Sequence, residues 1–198
     1  MTRRYQLTLI TNKQKIMTKL LTTLLFFTLM ACGQTPKSNT TTNETNPKWK
    51  TFEGTNYSIQ YPPEWELNQS GQMGSTFILS SPLESSQDQF TDNVNLLIQD
   101  LSGHNLDLDK YAEISEGQVK TMITNSTLIE SKRIKTGSEE YHRMIYTGDQ
   151  GIFHLKVEQY FWVRNGKAFV LTLTCEQDKF ADYKGVGEAI LNSFTFKQ

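Results

Sequence analysis

Two cysteines and three histidines hold most of the reactive chemistry in this 198-residue chain. Cys32 follows Ala31 at the end of an apolar run, Leu20 to Met30, and a small residue at such a place is where a secretory leader is cut. The Cys32 thiol would then head the mature chain. Cys175 stands alone in the remainder, so once Cys32 is modified no intramolecular disulfide can form. In an alternating strand pattern a single cysteine serves as a small buried apolar group rather than a nucleophile. His104, His142 and His154 lack the close spacing that zinc ligation requires. His142 and His154 fall on neighbouring strands out of register, which predicts solvated strand histidines. Asp107-x-Asp109 offers two oxygen ligands without the rest of a calcium loop, so Asp107 is assigned to capping a helix. Glu139-Glu140 puts one carboxylate on each face of a strand, where the two cannot converge as an acid–base pair. No GxSxG, phosphate-binding loop or dinucleotide fingerprint occurs. The sequence therefore predicts no catalytic residue, no metal ligand and no cofactor.

The leader has the three parts such a signal needs. Met17-Thr18-Lys19 is a short basic start, Leu20–Met30 is the apolar core, and Ala31 is the small residue. Arg3, Arg4, Lys13 and Lys15 lie upstream, so Met1 and Met17 are both candidate starts, with the same mature chain. The apolar run is shorter than the roughly 20 residues that span a bilayer. Leu29-Met30-Ala31-Cys32 resembles the lipobox of bacterial lipoprotein signals. That resemblance implies diacylglycerol on Cys32, further acylation of the palmitate kind, and Leu29, Met30 and Ala31 as the signal-peptidase recognition residues. Met30 departs from the Ala, Ser, Val or Ile usual there. Gly33 after the cysteine favours the outer membrane slightly over the inner.

Charge narrows the partners. Removing residues 1–31 takes away five basic residues and leaves fifteen against twenty-one acidic, a formal charge of −6. A nucleic-acid surface needs a clustered positive patch, and anionic lipid would repel such a chain. Membrane attachment would then rest on the N-terminal lipid. Residues 32–47 form the lipidated Cys and a tether rich in Thr and Asn, unable to bury a core and reaching roughly 20–25 Å. Residues 48–198 are long enough for one domain with one core.

Within that domain, alternation predicts strands at 49–53 and 57–61 around a Gly54–Asn56 turn, then at 76–80 and 94–99. Asp107 to about Thr124 has helical spacing, with Leu108, Tyr111, Ala112, Val119 and Met122 on one stripe and Asn125 able to end it. Strands follow at 127–135, 140–147, 153–164 and 167–176, with Gly148–Gly151 read as a turn. Asn165-Gly166 is a two-residue hairpin signal that sets Trp162 opposite Phe169 and Tyr160 opposite Leu171. Both faces of that hairpin are apolar, so it belongs in the middle of a sheet covered on both sides. Asp178 to Phe194 reads as a closing helix that Asp178 can cap. The fold class expected is α+β, a central antiparallel sheet sandwiched between helices.

Tyr57–Trp65 (YSIQYPPEW), Asn93-Val94-Asn95 and Ile190–Phe194 (ILNSF), in this order of strands and helices, resemble the PsbP family and the DcrB-type bacterial envelope lipoproteins. The resemblance covers about residues 48–197. It implies a PsbP-like α/β/α sandwich and a non-catalytic accessory domain at a membrane surface. The function expected is therefore a membrane-anchored lipoprotein of the bacterial cell envelope, not an enzyme. It would act as a protein-interaction or assembly module with an unidentified envelope partner. The alternative is a small-ligand or lipid-binding envelope protein. An apolar cavity between sheet and helix would mark that alternative, and the large aromatics of the 153–176 hairpin argue against one.

Overall fold

The computed structural model describes residues 49–137 and 139–197. The expected leader, Cys32 with the expected recognition residues Leu29, Met30 and Ala31, and the expected tether lie outside the described residues. The elements run β1 (Lys50–Glu53), β2 (Tyr57–Tyr61), β3 (Glu66–Asn68), β4 (Phe77–Ser80), β5 (Asn93–Asp100), α1 (Leu108–Met122), β6 (Thr124–Thr136), β7 (Glu139–Gln150), β8 (Phe153–Arg164), β9 (Lys167–Glu176), α2 (Phe180–Asn192) and β10 (Thr195–Phe196). A single 3-10 turn, Gln72–Gly74, precedes β4.

Seven strands make the main antiparallel sheet in the order β3-β4-β5-β9-β8-β7-β6. Its centre is the β8–β9 hairpin. Asn165 (φ 51°) and Gly166 (φ 69°) both take the left-handed conformation of a type I′ turn, and Trp162 pairs with Phe169 and Tyr160 with Leu171, as expected. From β5 the chain crosses by α1 to the far edge, β6, and returns strand by strand to pair β9 with β5. From β9 it leaves by α2, and β10 then joins β2 and β1 in a second, three-stranded sheet.

The alternation of β8 and β9 builds two separate cores. Tyr160, Trp162, Phe169, Leu171, Leu173 and Cys175 face one way, with α2 and the small sheet packed on them. Gly187 lets α2 approach: a Cβ there would sit 2.5 Å from Leu173 Cδ2. Phe194 stacks on Tyr57 at 5.2 Å between ring centroids, which ties the small sheet to the end of α2. Phe161, Val157 and Val170 face the other way and meet α1. Asp107 accepts the Lys110 backbone N–H at 2.8 Å and so caps α1, satisfying a donor of the first turn. Tyr111 crosses Phe161 edge-on at 5.7 Å. Each large apolar side chain so buried contributes about 1.5–3 kcal/mol, and helices on both faces complete the α+β sandwich.

Three local expectations are corrected. Asp178 does not cap α2. A backbone bond from Lys179 N–H to the Glu176 carbonyl puts Lys179 at the helix start, where no side chain caps it. Gly148–Gln150 is not a turn but the end of β7, and the chain reverses at Gly151-Ile152 instead. Glycine is needed at 148 for packing, since a Cβ would meet the Ile123 side chain at 2.3 Å. Asn125 lies beyond the end of α1, at φ 51° in an irregularity of β6. The first hairpin, present as expected, lies in the small sheet.

Candidate functional site

Helix α1 must travel from β5 to β6 across β9, β8 and β7. At about 1.5 Å per residue, its fifteen residues extend about 22 Å. A helix about 10 Å across is narrower than a seven-stranded sheet roughly 29 Å wide. α1 packs on β6, β7 and β8, and beside it a cavity of about 380 Å³ opens over the β5–β9–β8 part of the same face. Large aromatics do not fill it, because Trp162, Phe169 and Tyr160 point to the opposite face. The expectation that they argue against a cavity is thereby overturned.

The floor of this cavity carries a polar row, with an apolar row on one side and a mixed row on the other. Register places Asn95 (β5), Thr172 (β9) and Gln159 (β8) side by side. Gln159 Nε2 donates to Thr172 Oγ1 at 3.1 Å, and Asn95 Nδ2 reaches Asn93 Oδ1 at 3.4 Å. On one side of the row lie Leu97, Val170 and Phe161, and on the other Asn93 and Thr174, followed by Val157 and Tyr146. The α1 wall contributes Ser115, Gln118, Val119 and Met122. Ser115 Oγ is spent on the Tyr111 carbonyl and the Tyr111 hydroxyl on Gln99 Oε1, while Gln118 Nε2 is buried with no hydrogen-bond partner. Burial pushes the Tyr111 and Tyr146 hydroxyls well above their ordinary pKa, so both stay neutral. Met73 joins the wall from the 3-10 turn, held at φ 57° between Gly71 and Gly74.

Asp149 is the single charged residue among those lining the cavity. Asn125 Nδ2 donates to its carboxylate at 2.6 Å, and His154 Nδ1 bonds its other oxygen at 2.5 Å. These two bonds, that to Asn125 first, lower the Asp149 pKa and keep it ionised.

The residues singled out from sequence are dispersed. Cys175 is fully buried beside Asp92, and burial pushes its thiol far above the range in which a thiolate forms, as expected of an inert core cysteine. His104 is exposed in the loop before α1. His154 is largely exposed beside Asp149. His142 is not solvated: the β7 register puts it on the α1 face, stacked on Phe161 at 6.1 Å, with Nε2 2.6 Å from Ser131 Oγ. A serine against a histidine has the start of a nucleophile–base arrangement. Here His142 Nδ1 is buried with no partner, so no carboxylate orients the ring. Glu139 pairs with Arg164, and Glu140 with Arg133 and Lys135, in line with their division between two faces. Among the described residues no group of three or more His, Cys, Asp or Glu is placed to hold a metal ion.

The polar row was missed in the sequence, though its signal is there. Gln159 falls between Val157 and Phe161 on one face of β8, a break in an otherwise apolar face, and it meets Thr172 and, beyond it, Asn95 across the register.

No family model matches the chain, and no curated protein matches it. Solved structures do match. The solution structure of cyanobacterial PsbP (CyanoP) from Synechocystis is 13% identical with a TM-score of 0.53, covering 80% of this chain and 98% of that one. LpqN of Mycobacterium tuberculosis, described as involved in cell envelope biogenesis, is 13% identical with a TM-score of 0.56, covering 76% and 91%. PA94 of Pseudomonas aeruginosa, a protein of unknown function, is 13% identical with a TM-score of 0.50, covering 73% and 94%. At this identity what is shared is the path of the chain, and over nearly the whole length of each relative. Residues 49–197 have the PsbP-like fold.

Proposed function

We propose that this chain is a bacterial envelope lipoprotein, held to its membrane by acyl chains on Cys32, whose PsbP-like domain is a non-catalytic module that binds a small ligand between α1 and the sheet. The cavity of about 380 Å³ carries this reading. It falls in the size range of small-molecule sites, roughly 300–1,000 Å³, and has their composition of apolar walls with a few placed polar groups. The two readings open from sequence thus change order, with ligand binding now ahead of a purely protein-binding module. The lipobox-like stretch supports the anchor, and among the described residues no helix is long and apolar enough to cross a membrane. The Ser131–His142 pair, without an acid behind it, supports the non-catalytic part. A ligand carried on a tether must be exchanged with something, so an unidentified envelope protein remains the expected partner. Gly33 keeps the outer membrane slightly favoured.

The test is native mass spectrometry of the lipidated protein released from its own membranes, alongside Val170→Phe and Val119→Phe, which fill the cavity from floor and helix. The wild type is expected to carry a small molecule near one per chain, and both variants to lose most of it while still melting cooperatively. A wild type without bound ligand, or variants as occupied as the wild type, refutes the binding reading. Cys32→Ala should release the domain from membranes without unfolding it. If that variant stays on membranes after a salt wash, the lipid anchor is wrong.

A further inference from the structure

We propose that the cavity selects an uncharged amphiphile, an apolar body with an amide or hydroxyl group set against the Asn95–Thr172–Gln159 row, and rejects anions such as fatty acids or phosphorylated lipids. This rests on the binding reading above and adds the chemistry of the ligand.

Three observations converge. The first is charge. No Lys, Arg or His lines the cavity, and the one ionised residue, Asp149, is negative and already engaged by Asn125 and His154. An anion entering would lose its water and meet no counter-charge, a strongly unfavourable transfer. A cation would find a carboxylate only at Asp149, which lies apart from the polar row and has its oxygens in use. The second is the hydrogen-bonding pattern. With Gln159 Nε2 committed to Thr172, its Oε1 is left as an acceptor on the floor, and Gln118 Nε2 is a buried donor without a partner on the helix wall. A group that both donates and accepts, an amide or a hydroxyl, answers the two together. A buried polar group left unpaired costs about 1–3 kcal/mol, so these residues would discriminate against a purely apolar ligand. The third is shape. The apolar row of Leu97, Val170 and Phe161 flanks the polar row on one side, and on the other Val157 and Tyr146 continue from Asn93 and Thr174. The volume equals that of about a dozen waters at roughly 30 Å³ each. The occupant is therefore compact, apolar over most of its surface and polar along one side.

Three probes of one shape separate the possibilities: octanamide, octanoate and octylammonium at pH 8, titrated into the full lipidated protein in phosphatidylcholine nanodiscs. The readouts are thermal stabilisation and the NMR signals of the glutamine side-chain amides. Octanamide is expected to bind about tenfold or more tightly than either ion and to move the Gln159 and Gln118 amide signals. Gln159→Leu should remove that preference while leaving the melting temperature of the ligand-free protein within a few degrees. Thr172→Val, which deletes only the hydroxyl, is the second variant should Gln159→Leu fail to fold. Octanoate or octylammonium binding as tightly as octanamide overturns the inference and leaves the binding reading standing. Octanamide preference that survives both variants also overturns it, since the row would then not be the selector. If none of the three probes binds and the protein from native membranes carries no ligand, the binding reading falls, and this inference with it.

Discussion

Replacing Arg143 by Met removes the cation on which three carboxylates converge. Arg143 Nε donates to Glu158 at 2.6 Å, Nη1 to Glu130 at 2.9 Å and Nη2 to Glu188 at 3.0 Å. The three acids come from β8, β6 and α2, so one side chain links the edge of the sheet to the helix above it. Glu158 is 0% exposed and its Oε2 has no partner, so Arg143 is its one strong compensation. Breaking such a pair from one side typically costs about 3–5 kcal/mol, because the abandoned charge stays buried. At about 2–4 °C per kcal/mol for a domain of this size, the melting temperature should fall by roughly 6–20 °C. Adding Glu158→Gln should return part of the loss, and Arg143→Met with Glu158→Leu should return most of it, since the buried charge is then gone. The pH dependence follows from the sign of the Glu158 shift. Desolvation raises its pKa in the folded state, so the folded protein holds that proton more tightly than the unfolded chain. Stability from this group is therefore present below its unfolded value and lost as pH rises through its folded value. Without Arg143 the shift grows, and the deficit of Arg143→Met should be largest at pH 8 and shrink toward pH 4. Urea unfolding followed by circular dichroism at several pH values measures all of this. A loss under about 1 kcal/mol at pH 7.5, or a further loss on adding Glu158→Gln, would refute the argument.

Other expectations follow from single contacts. Asp92 is nearly inaccessible beside Cys175, and burial pushes its carboxyl up to about 6, so its protonation stabilises the fold at low pH and that stabilisation is lost between about pH 4 and 6. Asp92→Asn should then be more stable than the wild type at pH 8 and level with it below pH 4; parallel pH profiles from thermal melts would exclude this. Two glycines of α2 should respond with opposite sign. Gly185→Ala meets nothing within 4 Å and should stabilise by about 0.5–1 kcal/mol. Gly187→Ala pushes a methyl into buried Leu173 and should destabilise by about 1–3 kcal/mol, the pair being read by melting temperature. Asn125→Ala deletes the 2.6 Å bond to Asp149 at the cavity, so the Asp149 carboxyl should titrate closer to its ordinary pKa by NMR.

Much of the fold was legible along the chain because its cause is local. A two-residue Asn165-Gly166 turn leaves no freedom of register, and period-two alternation then assigns every side chain of β8 and β9 to a face. The stripe of α1 and its Asp107 cap follow from the same short-range rules. What escaped depends on lateral distance. β10 is two residues long and exists because Phe194 and Phe196 dock beside β2, which no window of sequence reveals. His142 was read as solvated because alternation gives a face but not what covers it, and α1 with Phe161 covers this one. Arg143 meets partners 13, 15 and 45 residues away, a convergence set by sheet order. The Cys32 stretch is the opposite case: the lipidation proposed for it is read from a few consecutive residues and draws on no tertiary contact. The cavity needs nothing else, for it arises from a mismatch of widths. One helix covers only part of a sheet nearly three times broader than itself, and the part of the face it leaves bare is where polar side chains from three strands come together.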